Sequence, residues 1–289
     1  MMERSTFLHL RIPFSLYLMP FFCFALSQAS GYTLVAALIS FVALHLFLYP
    51  ASNGYNSYFD KDEESIGGLE TPPPVNTSLL TYSLVFDALA IGLGLILNWQ
   101  FALMMFIYGL ASKAYSHPLI RLKKYPIAGL FTVTFFQGFY TYLMTMVALN
   151  GFTNELFTYS NIIPALLCSF LLVGSYPITQ VYQHNEDSKR GDKTFSRMLG
   201  IKGTFIWTAG VFMIGTSGFI YYFTEKYSAF TAMLFPLFLS PVLVFFLTWA
   251  WEIRKDESKA DWKSTMQLNQ ISSLCFISFF VILTFLKSN

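Results

Sequence analysis

HLFLYPASNGYNSYFDKDEE, residues 45–64, starts inside an apolar run and ends in a cluster of amides and carboxylates. The run, residues 31–52, is long enough to cross a bilayer, and the polar residues from Asn53 onward continue it as an amphipathic helix end. A second stretch of the same kind, QVYQHNEDSKRGDKT at 180–194, leaves another apolar run at 160–182. Polar and ionisable groups are expensive in a chain dominated by apolar residues, so two such clusters mark where ion binding or chemistry is expected.

The rest of the chain supports a membrane reading. Of its 289 residues 55% are hydrophobic and 19% aromatic, and only 12% are charged, which is too apolar for a water-soluble domain of this length. Nine apolar runs fit the roughly 17 to 25 residues needed to span a hydrocarbon core: 12–28, 31–52, 78–97, 99–115, 125–149, 160–182, 203–224, 229–252 and 267–287. Lipid offers the backbone no hydrogen-bond partner and the alternation of a barrel is absent, so these runs are expected to be helices. The expected architecture is an all-α integral membrane protein, residues 1–289 forming a single polytopic domain of nine helices around a cytoplasm-facing cavity.

Nine alternating spans place 16 of the 18 Lys and Arg residues on the N-terminal side and leave Lys226 and Lys287 on the other. By the positive-inside rule the N-terminus and both polar clusters are then cytoplasmic, with the cell (inner) membrane as the expected location. The basic residues are spread over loops rather than gathered in a stripe, so no nucleic-acid partner is expected. Cys23, Cys168 and Cys275 lie within apolar runs without metal-type spacing and read as small buried hydrophobes. Arg4 and Arg11 before the first run resemble a signal peptide, but Pro13 and the immediately following second span favour a retained helix.

Between spans two and three, Gly67, Gly68 and Pro72–Pro74 break any helix, and residues 53–77 are expected to run as a helix end followed by an extended strap, a lid over something. The two polar clusters stand four spans apart, a spacing that hints at an internal repeat. Asp87 falls in the middle of span three, where an ionised carboxylate costs at least ~2.5 kcal/mol. It is expected to face the bundle interior, protonated or paired, with Lys113 lying too shallow to reach it.

At about 100° per residue, Asn53, Asn56, Asp60 and Glu64 share one face of the helix leaving span two, and Gln180, Gln183, His184 and Asp187 share one on the helix leaving span six. Two facing stripes of carboxylate and amide oxygens suit a hard cation such as Mg²⁺. The adjoining connections add Arg121, Lys123, Lys189, Arg190 and Lys193, donors suited to phosphate. Together they describe an anion site above an apolar cavity, able to hold the head of an amphiphile while its tail lies among Phe, Leu and Met.

These residues resemble the UbiA-type membrane prenyltransferases. That family's first motif, N-D-x-x-D-x-x-x-D, is matched by Asn56, Asp60 and Glu64, with Ser57 in place of the first aspartate and Glu64 in place of the last. Its second, D-x-x-x-D-x-x-x-G-x-x-T, is matched by Asp187, Gly191 and Thr194, with Gln183 replacing the leading aspartate. Tyr115-Ser116-His117-Pro118 followed by Arg121 and Lys123 resembles a third motif, and Arg11-x-Pro13 is similar to the family's early Arg and Pro.

The resemblance implies a nine-helix enzyme that transfers an isoprenoid chain from a prenyl diphosphate to a lipophilic or aromatic acceptor, using Mg²⁺. It implies that Asn56, Asp60, Glu64, Gln183 and Asp187 hold metal, that Arg121, Lys123, Lys189, Arg190 and Lys193 grip diphosphate, and that Tyr115 orients it. Asp60, Asp187, Lys123 and Tyr115 are the expected catalytic residues. With two motif aspartates replaced by neutral residues, Asp62, Glu63, Glu186 and Asp192 are candidate substitutes. The alternative reading is a lipid-binding protein or a transporter on the same fold, with Asp87 coupled to protons.

Overall fold

The computed structural model describes residues 2–287 and is helical almost throughout. Among the described residues the spans are α1 (Arg4–Gln28), α2 (Leu34–Asp60), α3 (Ser78–Leu97), α4 (Trp99–Ser116), α5 (Pro126–Asn150), α6 (Tyr159–Arg190), α7 (Phe195–Lys226), α8 (Ala229–Lys255) and α9 (Trp262–Lys287). All but α4 are long and apolar enough to cross a membrane on their own. α4 has 18 residues and so a length of about 27 Å, but Trp99, Gln100 and Lys113 dilute its hydropathy. This is an integral, multi-pass membrane architecture.

Sequence neighbours pack as spatial neighbours along α2–α3–α4 and α5–α6–α7–α8–α9, and α9 closes the bundle by packing on α1, which also contacts α5. Its outer surface is apolar: Leu34, Ile206 and Met233 are 72%, 74% and 73% exposed, an arrangement suited to lipid and not to water.

The helices that reach the polar end are longer than their apolar runs. α2 continues to Asp60, α6 to Arg190, and α7 begins at Phe195, before the expected 203. Each is interrupted. Arg11, at φ 49°, breaks α1 in the left-handed region. Residues Val42–Leu48 of α2 and Phe135–Tyr140 of α5 are π-helical. A 3₁₀ turn at Val181–Gln183 interrupts α6, and Gly200 breaks α7. Such departures recur beside functional sites because they re-aim side chains that a regular helix would point elsewhere.

The two ends of the bundle are built differently. Near the end remote from the polar clusters, Phe24, Tyr142, Phe219, Phe223, Phe235, Phe279 and Phe280 are fully buried against one another. Phe24 stacks on Phe280 with centroids 4.6 Å apart, and Phe219 lies 4.8 Å from Phe235. Lipid tails are as apolar as these side chains, so water exclusion contributes little to the cluster. Its cohesion comes from dispersion and ring geometry, about 0.5 to 1.5 kcal/mol per aromatic pair. At the other end the bundle is hollow.

The strap after α2 is irregular, with one isolated antiparallel bridge between Ile66 and Leu69. It is tied to α1 by Arg11 Nη1 donating to Gly67 O (3.1 Å), a His9 Nε2 contact with Pro73 O (2.8 Å) and Ser5 donating to Pro74 O (2.6 Å). Trp262 Nε1 of α9 donates to Ile66 O at 2.7 Å. It therefore bridges the first and last helices across the hollow end.

Asp87 faces the interior, as expected, and is paired. The partner is Lys113, which corrects the expectation that this lysine lies too shallow. The lysine's four-carbon stem covers the difference in depth, and Gly109, one turn earlier on α4, leaves room beside the carboxylate.

Candidate functional site

Two connected cavities open in the hollow end. The upper, about 130 Å³, is polar and draws on both clusters: Asn56 and Asp60 from the end of α2 with Asp62 just beyond it, and Gln180, Gln183, Asp187, Arg190 and Thr194 from the end of α6 and the turn after it. Lys123, from the loop between α4 and α5, forms another wall. The lower cavity, about 290 Å³, reaches down among α1, α2, α4, α5, α6 and α9. Arg11, Phe14, Asn56, Tyr115 and Thr179 line both and mark the junction.

The upper cavity carries three carboxylates, Asp60, Asp62 and Asp187, and three cations, Arg11, Lys123 and Arg190. Asp60 is buried and ion-paired through Oδ2 to Lys123 Nζ, while Arg121 Nη2 stands 3.3 Å from its Oδ1, which is buried without a hydrogen bond. Arg121 is fixed from behind by a bidentate grip on Asp192, Nε to Oδ1 at 2.9 Å and Nη2 to Oδ2 at 2.7 Å. That grip raises the guanidinium pKa above its ordinary value and keeps it charged. Arg190 pairs with Asp62 and, at 3.1 Å, with Glu186. Burial pushes Asp62 above the usual carboxylate range, and neighbouring Asp60 pushes it further, against the pull of Arg190.

Asp187 Oδ2 accepts from the Thr194 hydroxyl at 3.1 Å. That contact depends on a reversal at Gly191, whose φ of 73° caps α6 in the left-handed region and lets Asp192 N donate to Asp187 O at 2.9 Å. Below, Asn56 Nδ2 donates to Ser116 Oγ at 2.9 Å, and the Tyr115 and Tyr176 hydroxyls lie 2.6 Å apart.

Three sequence expectations need correction. Glu64 is not on the α2 stripe: Lys61, at φ 50°, ends the helix in the left-handed conformation, so Glu64 swings to the surface to pair with Lys189 at 2.8 Å, and Asp62 enters the cleft instead. Lys189 and Lys193 are exposed and line neither cavity, the first committed to Glu64 and Glu186. His184 lines neither cavity and instead contacts Ser196 Oγ at 2.8 Å.

Arg11 and Tyr182 line the upper cavity without having been singled out as site residues. The early Arg-x-Pro was the available signal for Arg11. Its two terminal nitrogens donate to Gly67 O and Asn53 O, both at 3.1 Å, and Nε is left without a partner.

No group of three His, Cys, Asp or Glu side chains among the described residues converges tightly enough to ligate one ion. That does not disqualify Mg²⁺, which usually takes one or two carboxylates and completes its shell with waters and phosphate oxygens. The all-oxygen donor set of Asn56, Asp60, Asp62, Gln183 and Asp187 fits that ion.

A family model described as the UbiA prenyltransferase family matches residues 17–273. No curated protein matches the chain. Among solved structures, a UbiA homologue from Archaeoglobus fulgidus bound to GPP and Mg²⁺ superposes with a TM-score of 0.69 at 18% identity, over 97% of this chain and 99% of that one. The apo structure of a UbiA homologue from Aeropyrum pernix K1 gives 0.68 at 19% identity, over 94% and 98%. A structure described for digeranylgeranylglyceryl phosphate synthase gives 0.61 at 16% identity, over 97% and 98%. At these identities the likeness establishes the fold.

Proposed function

The chain belongs to the UbiA prenyltransferase family, and on that premise we propose that it moves an isoprenoid chain from a prenyl diphosphate to a lipophilic or aromatic acceptor, with the polar clusters on the cytoplasmic face of the cell membrane. The observation that carries this reading is the direct continuity of a charge-balanced polar cleft with a chamber that reaches down among the helices, the two sharing five lining residues. Structures of UbiA homologues hold GPP or DMAPP together with Mg²⁺, which supports the same use of the cleft here.

In this reading the diphosphate lies in the upper cavity and the allylic carbon at the junction. Asp60, Asp62 and Asp187, with the amide oxygens of Asn56 and Gln183, would hold Mg²⁺. Once bound there, the ion supplies positive charge to the departing diphosphate. Lys123, Arg190 and Arg11 exchange partners when substrate enters, from carboxylates and strap carbonyls to phosphate oxygens. Three cations against three carboxylates leave the cleft near neutral, so entry of a largely charge-compensated Mg²⁺-diphosphate complex leaves no large charge uncompensated. Arg121 keeps Asp60 oriented, and Tyr115 steadies the bridging oxygen at the junction.

The carbon–oxygen bond breaks with its electron pair departing on diphosphate. The acceptor's electron pair forms the new bond, and the diphosphate takes the acceptor's proton. Fixed charge aimed at the leaving group, in a site that excludes water, is the largest contribution the protein makes. A transporter driven through Asp87 loses its main support, because that carboxylate is held by Lys113.

The test is thermal stability of detergent-solubilised protein with unreactive thio-analogues of prenyl diphosphates of graded length, with and without Mg²⁺. A Mg²⁺-dependent upward shift is expected in the parent and in Lys189→Ala, and is expected to disappear in Asp60→Ala and Asp187→Ala. Absence of any shift in folded parent protein refutes the reading.

A further inference from the structure

Among the described residues Tyr115 is the one tyrosine that lines both cavities, and its hydroxyl belongs to a chain of hydrogen bonds running back into the protein. The Tyr176 hydroxyl of α6 lies 2.6 Å from it. Gln180, one turn further along α6 and buried, donates from Nε2 to the Tyr176 hydroxyl at 2.7 Å. At its other end Gln180 Oε1 accepts from Ser196 N at 3.2 Å. Ser196 is the second residue of α7, where a helix has N–H groups without intrahelical partners, and the Thr194 side chain makes no cap there. Its Oγ is held 2.8 Å from His184 Nε2 and 2.9 Å from Thr204 Oγ1, which fixes the start of the chain.

The direction of the chain follows from that start. A backbone N–H can only donate, so the Gln180 oxygen faces Ser196, and the amide nitrogen, which also can only donate, faces Tyr176. Among the described residues the Tyr176 hydroxyl has no further partner, so its single proton goes to the Tyr115 oxygen. The Tyr115 proton is then left free at the junction of the two cavities. With the opposite polarity the spare proton would sit on Tyr176, which lines the lower cavity alone.

We infer that Tyr176 and Gln180 are positioning residues: they set the polarity of this chain so that the Tyr115 hydroxyl donates to the oxygen joining the allylic carbon to phosphorus. This rests on the prenyltransferase reading and adds two residues to it. When the carbon–oxygen bond breaks, its electron pair stays on that oxygen, and a donor already aimed there needs no reorientation. Tyr115 keeps its proton throughout. Successive donors strengthen one another along the chain, beginning with the first-turn amide of α7.

The test measures binding of two probes to detergent-solubilised protein in Mg²⁺: geranyl diphosphate, and the analogue in which a methylene group replaces the oxygen between the allylic carbon and phosphorus. A methylene accepts no hydrogen bond, so the parent is expected to prefer the oxygen-bridged probe about tenfold more than Tyr115→Phe does. Gln180→Met frees Tyr176 to accept the Tyr115 proton, and the preference is expected to fall to about threefold or less. Adding Tyr176→Phe removes that competing acceptor, and the double variant is expected to return to within about twofold of the parent's ratio. A packing role would make the double variant worse than the single one. The proposal is overturned if Gln180→Met keeps the parent's ratio, if the double variant fails to regain it, or if the parent discriminates no better than Tyr115→Phe. Gln180→Leu, with the same expectation, serves in place of Gln180→Met if the latter does not fold. If neither probe binds folded parent protein, the prenyltransferase reading falls first and this inference with it.

Discussion

Asp62 shows how much a single backbone angle decides. Helical spacing from Asn56 and Asp60 points to the next turn, at Glu64, and that extrapolation fails because Lys61 takes a left-handed conformation that carries no signature when the residue is lysine. Asp60, Asp187, Lys123, Asn56, Gln183 and Tyr115 were legible because they stand on helical turns or in short fixed loops, and all line the cleft or its junction. Asp62 is buried and its pKa is raised, so its charge is expected to be lost on acidification earlier than that of an ordinary aspartate. A group whose pKa is raised binds its proton earlier as pH falls. Mg²⁺-dependent binding of the donor analogue is therefore expected to weaken at a pH above the ordinary aspartate value of about 3.9. Asp62→Asn should bind the analogue more weakly at neutral pH and shift that acidic limb, which titration of the thermal shift against pH will read. A parent profile identical to the variant's would exclude Asp62 from the site.

At the scale of elements, length was readable and breaks were not. An apolar run reports where lipid ends, but α2 and α6 carry on beyond it, and only their turns determine which side chains meet. The reversal after α6 depends on Gly191, where an added Cβ would touch nothing within 4 Å, so its cost is conformational. Gly191→Ala is expected to destabilise by about 1 kcal/mol. Gly138, in the π-helical part of α5, is the opposite case: a Cβ there would sit 2.7 Å from the Ser169 backbone of α6. Gly138→Ala is expected to lower the thermal midpoint considerably more than Gly191→Ala does, because two helices must move apart. Equal midpoints would show that α5 and α6 do not approach so closely.

For the whole molecule, the nine-span ring and its charge asymmetry followed from the sequence because bilayer thickness and lysine placement act on every span alike. The interior was less legible, since the sequence does not state how far a lysine stem reaches. Replacing Asp87 by Asn leaves Lys113 without its counter-charge and is expected to destabilise by about 2 kcal/mol, less than for a fully enclosed pair because the ammonium can snorkel. Asp87→Leu combined with Lys113→Met should recover at least the parent's midpoint and keep donor binding, as measured by the same thermal shifts. Loss of donor binding in a well-folded double variant would give the pair a functional part.

The aromatic cluster at the far end of the bundle also fixes the traffic. With Phe24, Phe280 and their neighbours closing that end, the chamber is a blind alley with the polar cleft stacked over its entrance. In the proposed reaction the diphosphate leaves toward water through the cleft, and the apolar product steps sideways between helices into the bilayer. On that proposal the molecule sorts its two products by solvent, each through its own door.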